Sequence, residues 1–174
     1  MLTEPLPATL DVRKAAAREV TVEGLLDLSA LARLQGALAS NEGRVEAKIA
    51  FARDEENRFI ATINIDARVE VLCQRCLDKM TSEVRSSNVL AIVGNDELAG
   101  QLPAQLEPWV VEGEQADLWQ LVEDELILAI PIVSYHETAD CNELLREYQQ
   151  PPEDPVEAAD NPFKVLEQLK SSDT

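Results

Sequence analysis

The chain has 174 residues, 45% of them apolar, and a formal net charge of −18. This length and composition predict a single domain with a hydrophobic core of its own. No segment has the basic start, apolar run and small-residue cleavage site of a secretory signal, and no apolar run approaches the length needed to cross a bilayer. We therefore expect a soluble, cytoplasmic protein with no membrane partner.

The charge is unevenly distributed along the chain. Residues 1–87 contain 12 Lys and Arg against 14 Asp and Glu, a net of −2, whereas residues 88–174 contain 3 against 19, a net of −16. Because a field this negative repels phosphates at long range, an RNA-binding role needs a local basic face or a protein intermediary. The acidic half is equally consistent with a solvated, solubilising surface.

The first third of the chain predicts one strand and one helix. Two prolines favour an extended start over residues 1–19. Val20–Leu26 alternates weakly, as a short strand does. Leucines at helical spacing then predict an amphipathic helix over Leu28–Leu38, with Ser29 as its N-cap.

The central third predicts antiparallel strands. Apolar residues recur with a period of two over residues 45–51 and 59–71, on either side of a turn at 54–57, which indicates a hairpin. The second strand runs directly into Cys73-x-x-Cys76, and another extended stretch covers residues 80–93. The cysteine pair is therefore predicted to lie on the loop joining two strands.

A connection at residues 94–106 and a short strand at 107–111 lead to the clearest helix signal. Asp117 is an acidic N-cap and Gln120 follows it at the spacing of a capping box, while Pro131 ends the helix. The acidic run Glu123, Asp124 and Glu125 cannot point at one site, because adjacent residues are about 100° apart around a helix. We interpret it as a solvated stripe.

These elements predict an α+β fold: an antiparallel sheet of about five strands, a few covering helices and an acidic C-terminal tail. We expect residues 1–148 to form the α+β domain. Residues 149–160 have the composition of an acidic, proline-rich linker, and residues 161–174 that of a terminal helix and tail.

All three cysteines and the only histidine fall into two close pairs, Cys73 with Cys76 and His136 with Cys141. Three thiolates and one imidazole make a complete tetrahedral zinc set. Reduced thiols without metal are the alternative, since the His136 loop could lie far from Cys73. A redox dithiol is less consistent with the pattern, because such pairs usually open a helix in a βαβ unit.

The sequence carries no catalytic motif. It lacks a glycine-rich phosphate loop, a Ser/His/Asp arrangement and HExxH, and one histidine leaves little scope for general acid–base catalysis. We therefore expect neither an enzyme nor a small-molecule substrate.

Four basic residues, Arg68, Arg75, Lys79 and Arg85, flank the cysteine pair and are candidates for contact with RNA or another partner. A few phosphate contacts would give weak, salt-sensitive binding. Ordinary surface charge on a sheet is the alternative interpretation, because aromatic residues make up only 4% of the chain and offer no stacking platform.

Taken together, the C-x-R-C turn after a strand, the acidic helix that ends in proline, the following histidine and cysteine, and the Asn-Pro-Phe tail resemble the bacterial large ribosomal RNA subunit accumulation protein family, also called YceD. The similarity covers almost the whole chain. The family's signature falls on Cys73, Arg75, Cys76, Glu123, Asp124, Glu125, Pro131, Asn161, Pro162 and Phe163.

The resemblance implies a non-enzymatic factor for synthesis, processing or accumulation of 23S ribosomal RNA and for biogenesis of the large subunit. Its implied partners are precursor 23S ribosomal RNA or large-subunit ribosomal proteins. Some relatives have further cysteine pairs where this chain offers only His136 and Cys141, and the resemblance implies no catalytic residue. The alternative function is a zinc-stabilised adaptor that binds a protein through residues 161–170 and has no ribosomal role.

Overall fold

The structure, a computed structural model, describes residues 4–142. Its strands and helices, in chain order, are β1 (Thr9–Leu10), α1 (Val12–Ala17), β2 (Thr21–Asp27), β3 (Arg44–Arg53), β4 (Phe59–Leu72), β5 (Lys79–Val93), α2 (Asp96–Ala99), β6 (Glu107–Val110), β7 (Ala116–Asp117) and α3 (Leu118–Ala129). Short 3-10 helices cover Leu28–Ala30, Leu34–Ala37 and Ala139–Cys141.

Five strands form one sheet in the order β2-β3-β4-β5-β6, while β1 and β7 pair with each other. The α+β prediction is therefore confirmed. The neighbours from β2 to β5 are antiparallel, as predicted, but β6 runs parallel to β5. A parallel pair needs a crossover, and the segment that contains α2 provides it.

The predicted period of two is confirmed in the long hairpin. Alternate residues of β3 and β4, from Val45 to Phe51 and from Ala61 to Val71, are buried on one face of the sheet. This face packs against α1, α3 and the segment between β2 and β3. Burial of these apolar side chains is the main force that holds the sheet to its covering layer.

The N-terminal segment contains a helix, so the predicted extended start is wrong beyond Leu10. Asp11 caps α1 by accepting a hydrogen bond from the backbone N–H of Lys14 (3.0 Å). Val12, Ala15 and Ala16 of this helix are buried. A capping aspartate and three small apolar residues are enough for one short helix once tertiary packing stabilises it.

The predicted helix over residues 28–38 is also wrong, since that segment forms two short 3-10 helices. Leu28, Leu31 and Leu34 are buried, as the spacing implied. The backbone is drawn into long-range contacts instead: Leu28 N–H donates to Gly43 (3.1 Å), and Leu34 N–H to the Glu123 carboxylate (3.1 Å). Tertiary hydrogen bonds here override helical propensity.

The chain divides into two compact units, residues 1–137 and 138–174. The linker and tail predicted at 149–160 and 161–174 lie outside the described residues. No helix within residues 4–142 is long and apolar enough to cross a membrane.

Candidate functional site

The two cysteines of the C-x-x-C pair lie on the turn between β4 and β5, as predicted. We call residues 73–78 the cysteine turn. It is closed by two backbone hydrogen bonds, from Leu77 N–H to the Cys73 carbonyl (2.8 Å) and from Cys73 N–H to the Asp78 carbonyl (2.9 Å). Leu77 takes a left-handed conformation with φ of 65°, which turns the chain back into β5.

A second segment, residues 131–136, runs beside the cysteine turn; we call it the facing loop. Gln74 fixes the two together, since its backbone N–H donates to the Ser134 carbonyl (2.9 Å) and its side-chain amide to the Ile132 carbonyl (3.0 Å). The guanidinium of Arg75 lies over the Tyr135 ring, 5.0 Å from its centre. The proline after α3 directs the chain into this loop, and the loop brings in the histidine.

The structure brings together all four predicted metal ligands. One ligand atom from each of Cys73, Cys76, His136 and Cys141 lies within 4.8 Å of those of the other three. The Cys76 Sγ and His136 Nδ1 atoms are 3.4 Å apart. Cys73 is fully buried and the other three residues are partly exposed. The possibility that the His136 loop lies far from Cys73 is thereby excluded.

The surroundings of Cys73 favour the thiolate form of its side chain. Its burial alone would raise the pKa of the thiol, but hydrogen bonds from the backbone N–H groups of Cys76, His136 and Arg75, and from the Cys76 side chain, lower that pKa to about 5. Hydrogen bonds to the charged form outweigh desolvation here. A thiolate is also the form of cysteine that binds metal.

This group of side chains fits a tetrahedral cation. Bond lengths of about 2.3 Å to sulfur and about 2.0 Å to nitrogen imply ligand-to-ligand distances of about 3.5 to 3.8 Å in a tetrahedron. The 3.4 Å between Cys76 Sγ and His136 Nδ1 is close to that range. Within residues 4–142 this is the one group of three or more cysteine, histidine or acidic residues arranged to hold a metal.

The acidic residues of α3 are not the solvated stripe that the sequence suggested, because Glu123 is 7% exposed and Glu125 is 4% exposed. Glu123 accepts hydrogen bonds from the backbone N–H groups of Arg33 (2.7 Å) and Leu34 (3.1 Å), and from Arg33 Nε (2.9 Å). Burial opposes ionisation of Glu123, but these donors lower its pKa. Glu123 therefore anchors the 3-10 segment to α3.

Glu125 faces the sheet. It accepts hydrogen bonds from Ser86 Oγ (2.8 Å) and Asn88 Nδ2 (2.6 Å), which occupy core-facing positions of β5 between Val84 and Leu90. Adjacent Asp124 is instead half-exposed and pairs with Arg33 (2.7 Å). Glu123 and Asp124 share Arg33, whereas Glu125 faces Ser86 and Asn88, so the three carboxylates do not converge on one site.

The family model described as "Large ribosomal RNA subunit accumulation protein YceD" matches residues 61–170. The chain belongs to the YceD family. One relative, the large ribosomal RNA subunit accumulation protein YceD of Haemophilus influenzae, is 30% identical over 168 residues, covering 95% of this chain and 96% of that protein. No solved structure matches the chain.

Membership of the YceD family confirms the resemblance drawn from the sequence. Of the signature positions, those from Cys73 to Pro131 lie in the cysteine turn, on α3 and at the start of the facing loop. Asn161, Pro162 and Phe163 lie outside the described residues. Within the described part, the positions predicted to carry the family's signature thus lie in the cysteine turn, on α3 and at Pro131, and their role as a signature stays a prediction.

Three of the four basic candidates lie on the solvent face of this YceD sheet, each beside a carboxylate of the neighbouring strand. The nitrogen-to-oxygen distances are 3.2 Å for Arg68 and Glu83, 3.6 Å for Lys79 and Glu70, and 2.7 Å for Arg85 and Asp66. Arg75 lies apart from them, in the cysteine turn. Whether these four residues contact RNA stays a prediction.

Sequence reasoning missed the residues that hold the site together. Gln74 and Tyr135 tie the two segments, and Ser86 and Asn88 receive Glu125. The last pair did leave a signal, because two polar residues at core-facing positions of a strand imply a buried polar partner. Nothing in the sequence pairs Gln74 with the facing loop.

Proposed function

We propose that this chain is a non-enzymatic factor for synthesis, processing or accumulation of 23S ribosomal RNA and for biogenesis of the large ribosomal subunit. The observation that carries this proposal is the match to a large ribosomal RNA subunit accumulation protein over 95% of the chain. Such a role implies action in the cytoplasm. The match does not favour the alternative of an adaptor unconnected with ribosomes.

The candidate metal centre supports a structural role. Cys73, Cys76, His136 and Cys141 would hold a zinc ion with four protein ligands, which is the closed arrangement of structural sites, whereas catalytic zinc keeps a position open for water. Zinc would link the β4–β5 turn to the chain that follows α3. The backbone N–H groups directed at Cys73 are the outer hydrogen bonds that such thiolate ligands require.

The partners we propose are precursor 23S ribosomal RNA or large-subunit ribosomal proteins. The excess of 19 acidic over 3 basic residues in residues 88–174 supports a basic protein, since opposite charge accelerates encounter. Direct RNA contact would use Arg68, Lys79 and Arg85. The ion pairs of these three residues with carboxylates are exposed, so RNA phosphates could replace the carboxylates at a small free-energy cost.

Sedimentation of tagged protein through a sucrose gradient tests the proposal. We expect the protein to co-migrate with precursors of the large subunit and to leave them at high salt, because few charges hold it there. Failure to co-migrate with any component of those precursors would contradict the ribosomal role. Turnover by the purified protein that depends on the thiols of Cys73 and Cys76 would contradict the non-enzymatic one.

A further inference from the structure

Several large apolar side chains around the cysteine turn are exposed to solvent. Ile132 is 93% exposed and Leu77 is 72% exposed, and about half of each of Leu72, Val133 and Tyr135 is exposed. These five residues, which we call the apolar rim, come from the cysteine turn, the strand end beside it and the facing loop. Single exposed apolar residues are ordinary, but a group on two adjoining segments marks an interaction surface.

The backbone conformation of Leu77 is a second observation that indicates an interaction surface. Its φ of 65° lies in the left-handed region, where a branched side chain is strained and glycine is not. The turn requires this conformation, because Leu77 N–H closes onto the Cys73 carbonyl. Since the side chain is mostly exposed, packing within the described residues does not compensate for the strain. A contact outside this fold would account for leucine at this position.

The charges near the apolar rim indicate what kind of partner fits. Asp78 follows Leu77, and Glu137 follows the facing loop; both are exposed. Of the two nearby cations, Lys79 is paired with Glu70 (3.6 Å) and Arg75 lies over Tyr135. The facing loop itself belongs to a stretch, residues 86–145, that contains no Lys or Arg.

We propose that the apolar rim is the docking surface for a basic, apolar segment of a protein: leucine-like side chains would cover Leu77 and Ile132, while Lys or Arg would pair with Asp78 and Glu137. RNA fits less well, because a polyanion would approach a chain of net charge −18 at a place bordered by carboxylates. This inference rests on the proposed function, of which it names the class of partner.

Binding of defined probes to the full chain tests the docking surface. Fluorescence anisotropy would compare three labelled peptides, an amphipathic helix of Leu and Lys, a Ser and Lys peptide of equal charge and a Leu and Glu peptide, with a single-stranded RNA of similar length. We expect the Leu and Lys peptide to bind about tenfold or more tightly than each other probe, since both apolar burial and charge are needed.

Variants locate the contact. Leu77→Ser and Ile132→Ser should each weaken binding of the Leu and Lys peptide by about tenfold. Glu137→Lys should weaken binding of both Lys-containing peptides. Leu98→Ser is the matched control, because Leu98 is 47% exposed on α2 and should leave binding unchanged. Leu77→Gly keeps the turn and should raise the melting temperature of the protein. It should also weaken binding of the Leu and Lys peptide, and this combination would separate loss of contact from loss of folding.

Equal binding of the two Lys-containing peptides, or equal losses from Leu77→Ser and Leu98→Ser, would overturn the docking surface. Tightest binding of the RNA, lost in Ile132→Ser, would overturn the choice of partner. The docking surface and the ribosomal role can fail separately. Co-sedimentation that survives Leu77→Ser would leave the proposed function intact and count against this surface, whereas peptide binding without co-sedimentation would do the reverse.

Discussion

Glu123 is the residue of α3 whose loss the structure predicts to be most damaging. Its carboxylate accepts from the backbone N–H groups of Arg33 and Leu34 and from Arg33 Nε, at 2.7 to 3.1 Å. In Glu123→Ala the Leu34 N–H is left buried without an acceptor. A charge-assisted hydrogen bond is worth about 1.5 to 3 kcal/mol, and an orphaned buried donor adds about 1 to 3 kcal/mol.

Because the contributions within one network are not additive and the Arg33 side chain is 51% exposed, we expect Glu123→Ala to lower the free energy of unfolding by about 3 kcal/mol, near the low end of the sum of these two contributions. With a urea m-value of about 2 kcal/mol/M, the denaturation midpoint falls by about 1.5 M. Asp124→Asn is the control, since Asp124 also pairs with Arg33 but its side chain is 47% exposed. A midpoint for Glu123→Ala no lower than that of Asp124→Asn would refute the reasoning.

The pH dependence of the same network has a definite sign. Because the pKa of Glu123 is lowered in the folded state from its ordinary value of 4.5, its stabilisation is present above that value and is lost as the pH falls through the folded pKa. Wild-type protein should therefore lose stability below about pH 4.5 more steeply than Glu123→Gln. Equal slopes in acid urea titrations of the two proteins would contradict this.

The remaining predictions concern the cysteine turn. Purified protein should bind one zinc ion, and cobalt substitution should give a thiolate charge-transfer band. Both the zinc and the band should be lost in Cys73→Ser. A metal content unchanged by that substitution would contradict the proposed zinc site. Because cysteine ligands must be deprotonated to bind metal, the metal should be retained at neutral pH and released on acidification; a metal content that does not change with pH would contradict this. Leu77→Gly should raise the free energy of unfolding by about 1 kcal/mol by relieving the left-handed strain, and a lower urea midpoint would contradict that explanation.

The sequence predicted the parts of the fold whose pattern is local and periodic. The hairpin of β3 and β4 and the capped start of α3 each carry their own signal, a period of two or an aspartate at the N-cap. Residues 28–38 did not, because their backbone N–H groups bond to Gly43 and Glu123, and a sequence window cannot contain those partners. The same reason hid the burial of Glu123 and Glu125, since a carboxylate on a helix has an ordinary pattern until its distant donors are known.

The ligands of the candidate site were predicted from the sequence because few residue types bind zinc. Three cysteines and a single histidine in two close pairs already form a ligand set, and the structure brings them together. The apolar rim was not foreseen, because exposure of Leu77 and Ile132 depends on how the cysteine turn and the facing loop lie against each other. Gln74 fixes that arrangement through two hydrogen bonds, and its sequence position gives no sign of them.

We propose that this YceD-family chain supports accumulation of large-subunit ribosomal RNA. The most direct measurement is the ratio of mature 23S to 16S ribosomal RNA in cells depleted of the protein and then supplied with wild type or Cys73→Ser. We predict that the ratio falls on depletion, recovers with wild type and does not recover with Cys73→Ser expressed at an equal level. An unchanged ratio on depletion would contradict the claim.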